Sequence, residues 1–344
     1  MGQRTDQIEN QIENKREDLK SNLQELETRV KTATDWRHYF AEHTGTMIAA
    51  AFGGGVLLAA MVSGRGTRAS LSQAGASEPE RPWRAGTKHE VLENVDSIKS
   101  ALVGAAAEAF LNLGAKSVVV GEGPGHQRDT SLVLAESGLA DQLHSQNIRF
   151  VDLNRDELRK VPTSANYTGL EHLWLPRTVL TSDFVVSMPK IKTHHWAGVT
   201  LSMKNMFGVI PGTKYGWPKN VLHWKGIHRS ILDICATVPI HFVIADGVIA
   251  MEGNGPLHGN QRHLGKIVLA DDPVAADFTC ARLMGLNPYR VWHLDRAAHF
   301  LGNGSYESID LIGERLPQRT VPFAVLPEFA HLQMRSCHSP DFLL

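Results

Sequence analysis

The sequence predicts an α/β domain with a largely parallel sheet flanked by helices, preceded by an amphipathic helix and a single transmembrane helix. Three observations predict it. Short β-branched runs alternate with helical patterns from residue 98 onward. Residues 44–64 form 21 consecutive positions without an ionisable side chain. Ahead of them, residues 5–33 are polar but carry an apolar stripe at helical spacing.

That stripe is Ile8, Ile12, Leu19, Leu23, Leu26 and Val30. Its period predicts an amphipathic or coiled-coil-like helix over 1–43, although Lys15 and Asn22 interrupt the seam. No Arg-rich leader or signal-peptide pattern precedes it. Residues 44–64 are long enough for the roughly 30 Å of hydrocarbon at about 1.5 Å per residue. A buried helix of a soluble domain is the alternative. Three adjacent glycines, Gly53, Gly54 and Gly55, would weaken a water-exposed helix by about 1 kcal/mol each. Small residues at Ala49/Gly53 and Ala51/Gly55 favour close helix contact in a bilayer. A homodimer through the helix and the span is therefore expected. The slight excess of Arg65, Arg68 and Arg81 over Lys31 and Arg37 places the C-terminal domain on the cytoplasmic side.

Residues 65–97 read as a linker, 98–330 as the α/β domain and 331–344 as a tail. Within the domain, 100–115 reads as a helix ending at Gly114, and 116–125 as a buried strand entering a Gly-rich turn. A helix over 130–144 precedes strand-like 148–153. Further strands are expected at 183–188, 241–246 and 266–270, with helices at 226–237 and 273–285. Ligands of such sheets sit beyond the carboxyl ends of the strands, so the loops there are the candidate site.

The first loop, Gly121, Glu122, Gly123, Pro124, Gly125, allows positive φ and close backbone approach to a ligand, and a plain strand-exit turn is the alternative. It matches neither dinucleotide nor P-loop phosphate motif. The second carries Lys190, Lys192, His194 and His195 after an apolar run, then Lys204 and Asn205. Ammonium groups there suit phosphate or carboxylate and imidazole suits proton transfer; a solvated basic loop is the alternative. The third interleaves Trp217, His223, Trp224 and His228 with Lys214, Lys219 and Lys225; such a mixture can stack a base or sugar or serve nucleic acid, and the neutral overall charge favours a lid over the site. In the fourth, Asp246 and Asp272 stand at expected strand ends and Glu252 in a Gly-rich loop, a donor set suited to Mg²⁺. Asp272 before Pro273 equally suits a helix N-cap.

Net charge excludes a global field for nucleic acid: 35 Lys+Arg face 36 Asp+Glu, for a formal −1. Three cysteines without a C-x-x-C exclude an iron–sulfur cluster bound by this chain alone.

The loops GEGPG, MPKIKTH, LSMKNMFGVIPG, ADGVIAMEGNGP and LADDPVAAD stand in the order found in domain of unknown function 362, which residues 98–315 resemble. The resemblance implies a domain rather than a reaction. Some relatives carry ferredoxin-like modules, so an accessory redox role using a partner's cluster is one expectation. Family members usually begin with a strand ending in a Lys-Pro-Asn-type loop; none is evident here, unless it has diverged within 82–97 or is supplied by another chain. ELETRV at 25–30 and the Gly/Ala-rich span resemble domain of unknown function 3618, which implies a bacterial inner-membrane anchor. The expected function is an enzyme or binder for a small anionic substrate with a divalent metal. A catalytically silent membrane scaffold is the alternative.

Overall fold

The computed structural model describes residues 88–125, 128–317 and 320–334, with side-chain surroundings from Ile98 onward. The amphipathic helix, the 44–64 span and the tail after 334 lie outside the described residues. Among those described, no helix is long and apolar enough to cross a membrane.

Helix α1 (Lys88–Asn112) begins inside the expected linker, so residues 88–97 are helical and hold no diverged first strand. It ends where the sequence indicates. Gly114 takes φ 97°, with Gly114 N–H donating to Leu111 O (3.0 Å) and Ala115 N–H to Phe110 O (3.0 Å). Those two bonds cap the last carbonyls in the left-handed manner glycine permits. The helix packs on both sides. Val103 and Ala107 meet Leu139, Leu143 and Ile148, while Ala106, Ala109 and Leu113 meet Phe242 and Ile244.

Strand β1 (Val119–Glu122) leads to α2 (Thr130–Glu136) and α3 (Leu139–Ser145). These two helices replace the one expected over 130–144, because Gly138 adopts φ 69° between them. β2 (Arg149–Asp152) pairs parallel with β1, and β3 (Leu158–Pro162) pairs antiparallel with β4 (His172–Pro176). After α4 (Arg177–Leu180) come β5 (Val186–Ser187), β6 (Lys190–His194) and β7 (Gly198–Thr200). The helices α5 (Ser202–Asn205), α6 (Gly212–Tyr215), α7 (Asn220–Trp224) and α8 (Ile227–Thr237) lead to β8 (Phe242–Glu252) and β9 (Asn260–Ala270). α9 (Pro273–Leu283) and α10 (Trp292–Ala297) follow.

β8 is the spine of the main sheet. Phe242 and Ile244 face α1, and Val243 and Ala245 join the other core with Ile231, Leu232, Val274 and Phe278. Alternation with both faces covered explains the continuous apolar run at 242–245. Burying each large apolar side chain contributes about 1.5–3 kcal/mol. One edge of β8 carries β5 and then β6, both parallel to it; the other carries β9, antiparallel. β7 pairs antiparallel with β6.

The sheet is therefore mixed, not largely parallel. The seven residues 253–259 between β8 and β9 are far too few for a crossover, which needs about a dozen, so a hairpin forms. β8 also runs through Asp246 to Glu252, where the sequence suggests a strand end and a loop.

Candidate functional site

β6 places the second loop's side chains. Strand alternation sends Ile191 into the main core and sets Lys190, Lys192 and His194 on the other face. Lys204 comes from α5, a single turn fixed from below by Asp277. That buried carboxylate accepts from Ser202 N–H (2.7 Å) and Met203 N–H (3.1 Å). Burial raises the Asp277 pKa to about 7, and the two backbone donors only partly offset it.

A third lysine joins them. Lys219, buried in the segment read as a lid, extends its Nζ to Phe207 O (2.7 Å) and Gly123 O (3.2 Å). It thereby ties the first loop to the others. Asn154 clamps the same junction, donating to Pro124 O (3.1 Å) and accepting from Gly212 N–H (2.8 Å). The first loop's glycines work by close approach, and none has positive φ. A Cβ on Gly123 would lie 2.3 Å from Gly208 O, and one on Gly121 would meet Leu153, whereas Gly125 has open space.

The electrostatics of this junction are one-sided. Burial is the first cause lowering Lys192 to about 8, Lys204 to about 7 and Lys219 to about 8. Mutual repulsion adds to it: Lys192 and Lys219 both act on Lys204. Among the described residues, neither Lys192 nor Lys204 has a hydrogen-bond or ion-pair acceptor; Lys204 Nζ sits 4.4 Å from the Phe207 ring. Glu122 is the carboxylate that favours the charges of Lys192 and Lys219, and it is shared with Lys99 at 3.7 Å.

Three imidazoles border the lysines, each with an assigned tautomer. His194 Nδ1 accepts from the N–H groups of Trp196 (3.0 Å) and Ala197 (3.2 Å), so its proton sits on Nε2. Burial, then the Lys204 charge, lowers its pKa to about 2. Burial and the Lys204 charge thus favour the neutral ring, which presents Nε2–H as a donor. His195 Nδ1 lies 2.8 Å from Gly255 O, and His223 Nδ1 lies 3.1 Å from Lys219 O. A carbonyl only accepts, so both carry a proton on Nδ1, which leaves Nε2 as the acceptor of the neutral ring. Burial lowers the His223 pKa.

The remaining candidates serve the fold. Lys190 is neutralised by Asp246 at 2.5 Å, and Asp246 also accepts from Val248 N–H (3.0 Å). Glu252 accepts from Ala324 N–H (3.0 Å) beside Arg262 (3.7 Å), holding the C-terminal segment to the sheet. Asp272 caps α9 through Val274 N–H (2.7 Å) and Ala275 N–H (3.0 Å), and takes Asn303 N–H (2.7 Å) on its other oxygen. Asn205 donates to Ser187 Oγ (3.1 Å), fastening α5 to β5.

These carboxylates do not fit a shared Mg²⁺. Asp246 and Glu252 are six residues apart on one strand, roughly 20 Å at about 3.3 Å per residue. Asp272 lies past the opposite end, because Ala270 pairs with Val243. Among the described residues, no group of three or more His, Cys, Asp or Glu is placed to hold a metal.

A family model described as Domain of unknown function (DUF362) matches residues 92–282, spanning α1 to α9 and every loop of this site. The chain belongs to that family. The DUF362 match bears out the resemblance seen in the loop order, starting slightly earlier, at 92, and ending at 282 rather than 315. The thylakoid-associated protein sll1697 of Synechocystis sp. (strain ATCC 27184 / PCC 6803 / Kazusa) is 28% identical over 144 residues. That alignment covers 41% of this chain and 44% of the relative, so the chain spans less than half of that protein.

The sequence places Lys219 and His223 in a lid rather than among the anion-binding groups, and gives Asn154 no part in the site. Lys219 and His223 sit among exposed aromatics and read as a lid, and Asn154 lies beyond a strand with no neighbouring polar cluster. The one signal for Lys219 is the Gly-Trp-Pro run before it, which sets a sharp local path.

Proposed function

We propose that the DUF362 domain of this chain binds a small anion, a phosphate or carboxylate group, between Lys192, Lys204 and Lys219, with His194 Nε2–H as a neutral donor. The observation that carries this reading is the accumulated positive charge: three desolvated lysines, with Lys192 and Lys219 both repelling Lys204, and no carboxylate acting on Lys204. Desolvated like charges are unfavourable until an opposite charge arrives, and an incoming anion supplies it. Acid–base chemistry on the bound molecule falls to His195 and His223, whose Nδ1 atoms are held by backbone carbonyls and whose Nε2 atoms are the acceptors of the neutral rings. No step is assigned to Mg²⁺, because the carboxylates expected to hold it are committed elsewhere.

The test is a thermal-shift titration of the full-length chain with phosphate, sugar phosphates and dicarboxylates at pH 7. A saturating anion stabilises the fold by about 2.7 kcal/mol at a hundredfold over its dissociation constant. A shift lost in Lys204→Met supports the site. Absence of any shift in a folded protein removes it.

We place the domain at a membrane surface, tethered by residues 44–64 in the manner of a domain of unknown function 3618 anchor. The thylakoid association in the relative's name and the uncharged run support this reading.

A further inference from the structure

One side of the lysine junction is a continuous run of rings. His194 and His195 stack at 4.9 Å, His195 meets Trp196 at 4.7 Å, Trp196 meets His223 at 5.0 Å, and His223 meets Phe207 at 5.4 Å. Phe207 is the ring under Lys204 Nζ and His194 at the other end is buried, so the run starts and finishes near the cations and reaches solvent at its middle, at Trp196. Trp196 is held between two imidazoles at 71° and 66°, yet 52% of it stays exposed. An indole fixed by its neighbours but left half open is a stacking platform with little ordering cost. Base stacking on such a ring is tolerant of base identity and is commonly combined with a cationic site for the phosphate.

Building on the anion site proposed above, we infer that its ligand is a phosphate ester of a planar heteroaromatic ring, of mononucleotide size, with the ring on Trp196 and the phosphate among Lys192, Lys204 and Lys219. Charge complementarity fixes one end and the exposed indole the other. A bare inorganic anion or a sugar phosphate would use only the first.

Calorimetric titration of the full-length chain with inorganic phosphate, ribose 5-phosphate and adenosine monophosphate tests this. The expected result is adenosine monophosphate binding about tenfold more tightly than ribose 5-phosphate. Trp196→Ala should remove that preference while leaving ribose 5-phosphate unchanged, and Trp196→Phe should keep most of it. Equal affinity of the two ligands in the unaltered protein would overturn the ring inference and leave the anion site standing. A preference that survives Trp196→Ala would also overturn it. Failure of all three ligands to bind would overturn both readings.

Discussion

Lys204 stands on a one-turn helix whose first amides are held by Asp277, with Lys192 and Lys219 close enough to repel it. Its charge is therefore a cost to the ligand-free fold. Replacing it with a neutral chain of similar length removes that cost, so Lys204→Met should raise the ligand-free melting temperature at pH 6. A gain of 1 kcal/mol corresponds to about 2–4 °C in a domain of this size. The same substitution should abolish anion binding, and scanning calorimetry with and without phosphate reads both effects. Titration adds a second signature. The folded pKa values of Lys192, Lys204 and Lys219, about 8, 7 and 8, lie below the ordinary 10.5. Between about pH 7 and 10.5 the unfolded chain thus binds more protons, and ligand-free stability from these groups rises with pH. Below pH 7 the penalty is fully present. Anion affinity must move the opposite way, falling as the lysines lose protons above about pH 8. Asp277 adds a contribution of the first kind in reverse: its raised pKa costs stability as pH climbs from about 4 to 7. Melting curves at unit pH steps, with and without phosphate, separate the two trends.

At the level of elements, the junction depends on two loops touching backbone to backbone. Gly123→Ala would push a methyl into Gly208 O and part them, at about 1–3 kcal/mol by the usual cost of overpacking. Anion binding should be lost with it. Gly125→Ala, facing open space in the same loop, should change neither stability nor binding. Denaturant titrations of the two variants decide this, and equal behaviour would contradict the close-approach role. Asp272→Ala should cost about 1 kcal/mol as a lost cap while leaving binding intact, contrary to a metal-ligand role. The sequence makes some of these elements legible and hides others for physical reasons. Gly114 and the Asp272–Pro273 pair are local stop and start signals, and α1 and α9 end and begin there. The first half of β8 is legible at 241–246, but its continuation to Glu252 is hidden, because Asp246 reads as a strand end. Lys190 neutralises Asp246 across the strands, so the acid is tolerated inside the sheet and the strand continues. Pairing partners distant in sequence set that outcome, and no local propensity reports them. Lys192, His194 and Lys204 were legible because basic residues after an apolar run have few structural uses. Lys219 joins them only through contacts with Gly123 and Phe207, which the linear order does not reveal.

The whole molecule combines a DUF362 domain with an N-terminal segment whose 44–64 run is uncharged. The account expects the full chain to sediment with membranes and to resist alkaline carbonate extraction. A variant lacking 44–64 should move to the supernatant; retention on the membrane would assign the tether elsewhere. Half-exposed Trp196 packs against His195 and His223, so this side of the site reaches the protein surface. Tethered as proposed, the domain would meet a diffusing anion or a group presented at the bilayer surface. The measurement that bears most directly on the central claim is calorimetric titration of phosphate into the full chain at pH 7 and pH 9.5, for the unaltered protein and Lys204→Met. The account predicts saturable binding at pH 7, sharply weakened at pH 9.5 and absent in the variant at both. Binding that persists in Lys204→Met, or no binding to the folded unaltered protein at pH 7, would contradict it.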